Sequence, residues 1–203
     1  MTHAKSFINE ANNRGIAVIL DIALNHSFGQ NPMVRMYFDA SAGQYGQPTA
    51  ESPWFNETPK HDFNVGYDFN HESVHTRNFC KRVLGYWLTE YHLDGYRFDL
   101  SKGFTQTDSG SDVGKWGRYD ASRVAILKHY TDVVTQTSPG AYAIMEHFAE
   151  FKEEKELTDY GMMVWQNANY NSLQRNDHES PEPVLRYSSI HVLGLKEIAV
   201  QAP

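Results

Sequence analysis

Apolar positions along the chain alternate between helical spacing and short continuous runs. They recur at helical intervals from Ala4 to Ala11, and Gly15 follows as a helix C-cap. Residues 16–20 form an unbroken run rich in β-branched side chains, which is typical of a strand buried on both faces of a parallel sheet. The chain is therefore predicted to open with a helix followed by a strand.

The same alternation returns after a long irregular stretch. Ser73 is placed to cap a helix whose apolar stripe reaches Tyr91. Beyond it the pattern predicts a strand at 93–100, a polar loop at 105–117, a helix at 119–135, a strand at 141–145, a helix at 150–159 and a strand at 161–165. Helices alternating with buried strands predict an α/β fold, in which crossover helices join parallel strands.

Two segments fall outside this alternation. Residues 27–71 are crowded with Gly, Pro, Asn, Gln and aromatic residues, and a loop this long is usually functional or a small subdomain. Its aromatic side chains suit stacking on sugar-like ligands, and they equally suit a small core of the insert itself: Tyr45, Trp54, Phe55, Phe63, Tyr67 and Phe69. Residues 173–203 show no pattern, for which a truncated or frame-shifted reading frame is one hypothesis. We therefore expect an α/β domain over 1–26 and 72–172, an insert over 27–71 and an atypical tail.

Composition then narrows the class of protein. The 203 residues, 40% of them hydrophobic, suffice for one well-buried domain. A net charge of −7 without a basic block argues against a nucleic-acid partner, and no apolar run is long enough to span a membrane. The single cysteine, Cys80, is expected to be a buried structural thiol. The ten histidines show no zinc spacing, so we expect them to be surface or hydrogen-bonded residues.

Charged and hydrogen-bonding residues collect where three predicted strands end. They are Asp21, Asn25 and His26 after the first strand, Arg97, Asp99 and Lys102 at the second, and Glu146 at the third. In parallel α/β barrels, the C-terminal strand ends and the loops after them build the active site. These residues are therefore the candidates for chemistry.

Two of the carboxylates suit acid–base chemistry on a glycosidic bond. Arg97 lies two residues before Asp99, so both side chains project from one face of the strand, and the guanidinium favours an ionised, nucleophilic Asp99. Partial burial of Glu146 after its apolar run would favour a proton-donating form. One charged and one protonated carboxyl group are what a retaining glycosidase uses. A pair of unrelated buried salt bridges is the alternative.

At these residues the chain resembles the alpha-amylase family, glycoside hydrolase family 13. Residues 21–26 match its D-x-x-x-N-H motif, residues 95–99 match G-x-R-x-D with Lys102 three positions on, and Glu146 ends a short apolar strand as in the third motif. The resemblance covers roughly residues 1–172. It implies a partial (β/α)₈ TIM barrel, roughly strands three to six, with a loop-rich insert after the first of them.

The resemblance also implies a role for each matching residue. Asp99 would be the nucleophile and Glu146 the general acid/base, Arg97 would orient Asp99, His26 and Lys102 would contact the sugar, and Asp21 and Asn25 would be structural. The chemistry needs no cofactor, but Asn25 would also ligate a structural calcium ion, as its equivalent does in many relatives. Two departures stand out. Gly103 occupies a position that is often His, and the family's later His-Asp pair has no match, since Asp177-His178 is reversed and is left unassigned.

The implied function is an alpha-amylase-type hydrolase that acts on starch and maltooligosaccharides with retention of configuration. Two alternatives stay open: a catalytically incompetent fragment or weak glycan-binding module, and a transglycosylase or isomerase of the same family. Half a barrel leaves two open sheet edges, which favour self-association. Relatives are often secreted, but the N-terminus does not have the pattern of a signal peptide, and no location is predicted.

Overall fold

The computed structural model of this chain describes residues 3–62 and 66–165. The helices are α1 (His3–Asn13), α2 (Pro32–Met36), α3 (Val74–Tyr91), α4 (Val113–Trp116), α5 (Ala121–Thr137) and α6 (Phe151–Asp159). The strands are β1 (Ile19–Ile22), β2 (His26–Ser27), β3 (Phe38–Asp39), β4 (Gln47–Pro48), β5 (Tyr67–Asp68), β6 (Gly95–Phe98), β7 (Tyr142–Met145) and β8 (Met163–Val164).

A four-stranded parallel sheet in the order β1-β6-β7-β8 organises the described residues. Each strand pairs with the next of these four along the chain, and α3, α5 and α6 form the connections. Parallel neighbours need such long crossovers, because the chain must return to the same end of the sheet. The sheet confirms the predicted α/β fold with crossover helices.

The two long helices begin at side-chain caps that the sequence supplies. The side chain of Ser73 accepts a hydrogen bond from the backbone N–H of His75 at the start of α3. Asp120 accepts from the N–H groups of Ser122 and Arg123 at the start of α5. Each cap satisfies backbone donors that have no partner within the helix.

The core lies between one face of the sheet and helices α3 and α5. Tyr96 and Phe98 of β6 are fully buried in it, whereas Arg97 and Asp99 project from the opposite face and are partly exposed. Cys80 on α3 is also fully buried, and burial raises the pKa of its thiol to about 12. The predicted alternation along the second strand and the buried structural cysteine are both confirmed.

The insert has short elements and a small core of its own. Val34, Phe55 and Phe69 form that core, against which Trp54 and Tyr67 pack. Two-stranded pairings β2–β5 and β3–β4 stabilise its loops. Tyr45 does not join this core, because it is 80% exposed. Phe63 lies outside the described residues. Part of the aromatic content therefore serves packing, and Tyr45 is exposed to solvent.

The first strand begins later than the sequence pattern predicted. β1 starts at Ile19, because Gly15 adopts φ 73° and the Ile16 N–H still bonds back to α1, which leaves Ile16 38% exposed. The Val18 N–H then donates to the Asp94 carboxylate rather than to a strand. The prediction for residues 16–20 was wrong at its start because hydrophobicity alone does not show where the turn ends.

The loop at 105–117 also differs from its prediction, since it contains helix α4 and buries Trp116. In the described part of the chain, no helix is long and apolar enough to cross a membrane. The tail at 173–203, with Asp177-His178, lies outside the described residues. The three-part division of the chain and self-association through β1 and β8 stay predictions.

Candidate active site

One guanidinium contacts three carboxylates at the C-terminal edge of the sheet. Nη1 of Arg97 lies 2.7 Å from an oxygen of Asp21 and 2.7 Å from an oxygen of Asp99, and Nη2 lies 2.9 Å from an oxygen of Glu146. The Arg97 side chain is 16% exposed, against 32% for Asp99 and 21% for Glu146. The structure thus gathers four predicted site residues, with both candidate catalytic carboxylates more exposed to solvent than the arginine that contacts them.

The register of the parallel strands brings these groups together. Asp21 on β1 is opposite Arg97 on β6, and Arg97 is opposite Ile144 on β7. The hydrogen-bond ladder runs one residue past each strand: the Asp99 N–H donates to Ile22 O, and the Glu146 N–H donates to Phe98 O. Both carboxylates are therefore attached to backbone that the sheet holds in place.

The indole of Trp165 covers the guanidinium of Arg97. Its ring centroid lies 4.4 Å from Cζ of Arg97, a cation–π geometry. Burial lowers the pKa of Arg97, but hydrogen bonds and charge from Asp21, Glu146 and Asp99 outweigh it, so the pKa is raised above its ordinary value. Sequence reasoning treated Trp165 only as the end of the last strand, and an aromatic residue at a barrel-strand end was the signal it missed.

The backbone after β6 holds Glu146 from two sides. The Leu100 N–H donates to Oε2 of Glu146 at 3.0 Å, and both the N–H and the hydroxyl of Ser101 donate to its carbonyl. Leu100 adopts φ 45°, a left-handed conformation that is costly for a non-glycine residue. This turn aims the Leu100 N–H at the carboxylate, so the strain coincides with the candidate site.

A buried charged network lies behind this turn. The hydroxyl of Ser101 is 3.0 Å from Nδ1 of His147, whose Nε2 is 2.7 Å from Glu153. Arg123 binds both oxygens of Glu153, at 2.6 and 2.8 Å. Burial raises the pKa of Glu153, but His147 and Arg123 outweigh it and lower the pKa overall. This network connects α5 and α6 to Glu146, and no motif in the sequence indicated it.

Glu154, the next residue on α6, is expected to make stability depend on pH. Burial, then the charge of Glu153, raises its pKa to about 7 from an ordinary value of 4.5. The folded chain thus binds this proton more tightly than the unfolded chain does, so its stabilising effect is complete below pH 4.5 and is lost as the pH rises to about 7. We therefore compare the change in the free energy of unfolding that Glu154→Gln causes at two pH values. This change should be more favourable at pH 8 than at pH 5 by about 1–3 kcal/mol.

Urea denaturation at the two pH values measures this difference. Glu57→Gln, at an exposed position, serves as the control and should show no such pH-dependent gain. An equal effect of Glu154→Gln at pH 5 and pH 8 would contradict the prediction.

His26 lies beside the carboxylates on β2, opposite Asp68 on β5. Burial lowers the pKa of its half-buried ring, and the charge of Asp99 partly opposes this effect. Its Nδ1 is buried and has no hydrogen-bond partner among the described residues. The role of His26 in sugar binding stays a prediction.

Lys102 is buried rather than extended towards solvent. It is 8% exposed, its ammonium lies 4.0 Å from the ring centroid of Trp116, and it donates to the carbonyl of Phe148 at 3.3 Å. Burial and the charge of Arg123 lower its pKa. Its predicted contact with a sugar stays a prediction, and in this structure its visible contacts are with the protein.

Asn25 anchors the loop after β1, as a structural role requires. It is fully buried, and its carbonyl accepts the N–H of Phe69 from the insert. The groups around its side chain do not fit calcium, which takes about six to eight oxygen ligands: Nε2 of His61 lies 3.2 Å from its Oδ1. Within residues 3–62 and 66–165, no group of three or more His, Cys, Asp or Glu could hold a metal ion.

Among the described residues, three histidines are buried and hydrogen-bonded: His61, His71 and His147. His71 contacts the hydroxyl of Tyr130 and the carbonyl of Leu24, and burial lowers its pKa to about 4. These three fit the expectation of hydrogen-bonded residues.

Comparison with known proteins supports the assignment of the fold. No family model matches the chain. The chain is 31% identical over 146 residues to the 1,4-alpha-glucan branching enzyme of Methylobacillus flagellatus. The aligned region covers 69% of this chain and 19% of that enzyme. It is 33% identical over 109 residues to isoamylase SU1 of Zea mays, covering 50% and 12% of the two chains. An alpha-amylase from Geobacillus thermoleovorans, solved with acarbose, superposes with a TM-score of 0.57 at 16% identity, covering 84% and 35%.

Four parallel strands with carboxylates at their C-terminal edge, together with these likenesses, define part of a (β/α)₈ barrel. The chain belongs to the alpha-amylase family, glycoside hydrolase family 13. The family resemblance and the partial TIM barrel are therefore confirmed. The chain spans about a fifth of the length of the curated relatives it matches.

Proposed function

We propose that this chain carries the catalytic centre of an enzyme that cleaves α-glucosidic bonds in starch-like glucans with retention of configuration. One observation carries the proposal: a single guanidinium, that of Arg97, contacts both Asp99 and Glu146 at adjacent strand ends. Retaining glycosidases need two carboxyl groups close together, one as nucleophile and one as acid.

In the proposed mechanism, Asp99 attacks the anomeric carbon and forms a covalent glycosyl ester. Glu146 gives a proton to the departing glycosidic oxygen. In the second step Glu146 takes a proton from the incoming hydroxyl, whose oxygen bonds to the anomeric carbon as the ester bond breaks and releases the Asp99 carboxylate. Arg97 keeps Asp99 oriented, because its Nη1 binds one Asp99 oxygen at 2.7 Å.

Hydrolysis is the primary proposal, and transfer to another sugar is the alternative. The same covalent intermediate accepts water in one case and a sugar hydroxyl in the other. The named relatives include both a branching enzyme and an isoamylase, and the isomerase alternative shares the same intermediate. Asp99, Glu146 and Arg97 have the same roles in each case.

A second candidate is glycan binding without turnover, and a cleft in the insert favours it. The cleft measures about 440 Å³ and combines the rings of Phe28, Tyr45 and Tyr67 with the amide of Asn56. Aromatic faces with nearby hydrogen-bonding groups suit a sugar chain. The His-Asp pair of the family's later motif is also unassigned in this chain.

Incubation of the purified chain with soluble starch and linear maltooligosaccharides tests these readings. We expect new reducing ends, with the α-anomer appearing first in proton NMR spectra. New branch-point signals without a matching rise in reducing ends would indicate transfer instead.

Affinity electrophoresis in glucan-containing gels supplies the control for binding. Retardation without turnover, which Tyr45→Ala then abolishes, would overturn the catalytic proposal in favour of the binding module. The β-anomer as first product would overturn the retaining mechanism.

A further inference from the structure

A buried histidine of the insert lies between two oxygen-bearing residues of the loop after β1 and strand β5. Nε2 of His61 is 3.2 Å from Oδ1 of Asn25 and 3.5 Å from Oδ1 of Asp68. All three residues are buried. Asp68 uses its other oxygen to accept from Asn56 and from the N–H of Lys60, so Oδ1 is turned to the imidazole.

Both ring nitrogens of His61 face oxygen atoms. Nδ1 of His61 lies 2.6 Å from the carbonyl oxygen of Asp62, which can only accept a hydrogen bond. Nε2 faces an amide oxygen and a carboxylate oxygen, which are also acceptors. Both nitrogens of His61 are therefore directed at oxygen atoms of the protein.

The ring is fixed in this position from its other side. It stacks on the indole of Trp116 with centroids 4.6 Å apart and planes 5° from parallel. Trp116 is itself held by a hydrogen bond from its indole nitrogen to the carbonyl of Lys102. The imidazole is therefore a rigid part of the packing between the insert and the loops after β6.

Gly103 provides the space for this arrangement. A Cβ atom there would lie 1.8 Å from Oδ1 of Asn25 and 2.6 Å from Nε2 of His61. Any larger residue at this position, including the His frequent in the family, would displace the pair unless the backbone moved. Position 103 is Gly in this chain, whereas it is often His in the family. The position of His61 beside Asn25 therefore depends on this glycine.

We propose that His61 takes the place of the structural calcium ion that the family resemblance implies at Asn25. Its side chain lies between Asn25 on the barrel and Asp68 on the insert, with Nε2 3.2 Å and 3.5 Å from one side-chain oxygen of each. The loop that carries His26 and the β5 strand opposite it are then held together without a divalent ion. This inference does not depend on whether the chain cleaves glucans.

Thermal unfolding of the whole chain, followed by circular dichroism, tests the proposal directly. We expect the same melting temperature in millimolar calcium chloride and in millimolar EGTA, and no calcium binding by isothermal titration calorimetry of chelator-treated protein. Calcium binding that raises the melting temperature of the unaltered chain would overturn the proposal.

Two substitutions test the part played by His61. His61→Ala should lower the melting temperature by about 5 °C or more, because the buried Oδ1 of Asn25 loses its partner and a cavity is left beside the indole of Trp116. His61→Asp adds an oxygen ligand beside Asn25 and Asp68, and its melting temperature should rise in calcium but not in magnesium. His75→Ala, at an exposed histidine, is the control. It should change neither the melting temperature nor the response of the melting temperature to calcium.

A matched pair of glycines separates this arrangement from general packing. Gly103→Ala should lower the melting temperature about as much as His61→Ala does, since the new Cβ displaces the Asn25–His61 contact. Gly85→Ala on α3, where a Cβ meets nothing within 4 Å, should leave it unchanged or raise it slightly. Equal effects of the two glycine substitutions, or a His61→Ala chain as stable as the original, would overturn the proposal.

Discussion

Asp99→Asn is expected to lower kcat/KM on maltooligosaccharides by at least roughly 10³-fold, because the carboxamide cannot act as the nucleophile. The change preserves shape, and Arg97 keeps its contacts with Asp21 and Glu146. The melting temperature should therefore change little while activity is lost. Initial rates of reducing-end release, with circular dichroism melts of the same samples, measure both quantities.

The control for this substitution is Asp159→Asn, at an exposed carboxylate paired with Lys155 on α6. It removes the same charge from a half-exposed side chain at the end of α6 and should leave kcat/KM within about twofold. An active Asp99→Asn variant that still releases the α-anomer would show that another group is the nucleophile.

Arg123→Met is expected to cause the largest loss of stability, about 3–5 kcal/mol, because it leaves the buried Glu153 carboxylate without its bidentate partner. Arg123 is 1% exposed and Glu153 is fully buried. Glu153 also holds His147, whose Nδ1 contacts Ser101 beside Glu146. Urea denaturation gives the free energy of unfolding, and the rate on maltooligosaccharides should fall in the folded fraction.

Two further variants show whether the loss comes from an unpaired charge. The double variant Arg123→Met with Glu153→Leu should recover much of the lost stability, since no buried charge is then left alone. Lys128→Met, which breaks the partly exposed pair with Glu156, should cost less than about 1 kcal/mol. If Lys128→Met and Arg123→Met lowered the free energy of unfolding by similar amounts, the explanation by an unpaired buried charge would be wrong.

Much of the site could be predicted because strand geometry is local. Side chains two residues apart share one face of a strand, so Arg97 and Asp99 had to project together once β6 was recognised. The apolar runs identified β6, β7 and β8, and the motifs marked Asp21 on β1 and Glu146 directly after β7. The start of β1 was less predictable, because the turn at Gly15 competes with the hydrophobic pattern.

The supporting residues could not be predicted, because their partners are distant in sequence. Trp165 is 68 positions from the Arg97 it covers, and His61 is 36 positions from Asn25. The burial of Lys102 over Trp116 likewise depends on helix α4, in a stretch that reads as a polar loop. Hydrophobic periodicity carries no information about such pairs.

The alternation of helices and strands and the identity of the residues at the strand ends follow from local sequence, because both depend on neighbours within a few positions. The fold was needed to show that Asp21, Asp99 and Glu146 meet at one guanidinium, since that depends on the register between parallel strands. It also decided that His61 fills the space beside Asn25. Close packing permits one occupant there, and the missing side chain at Gly103 made room for it.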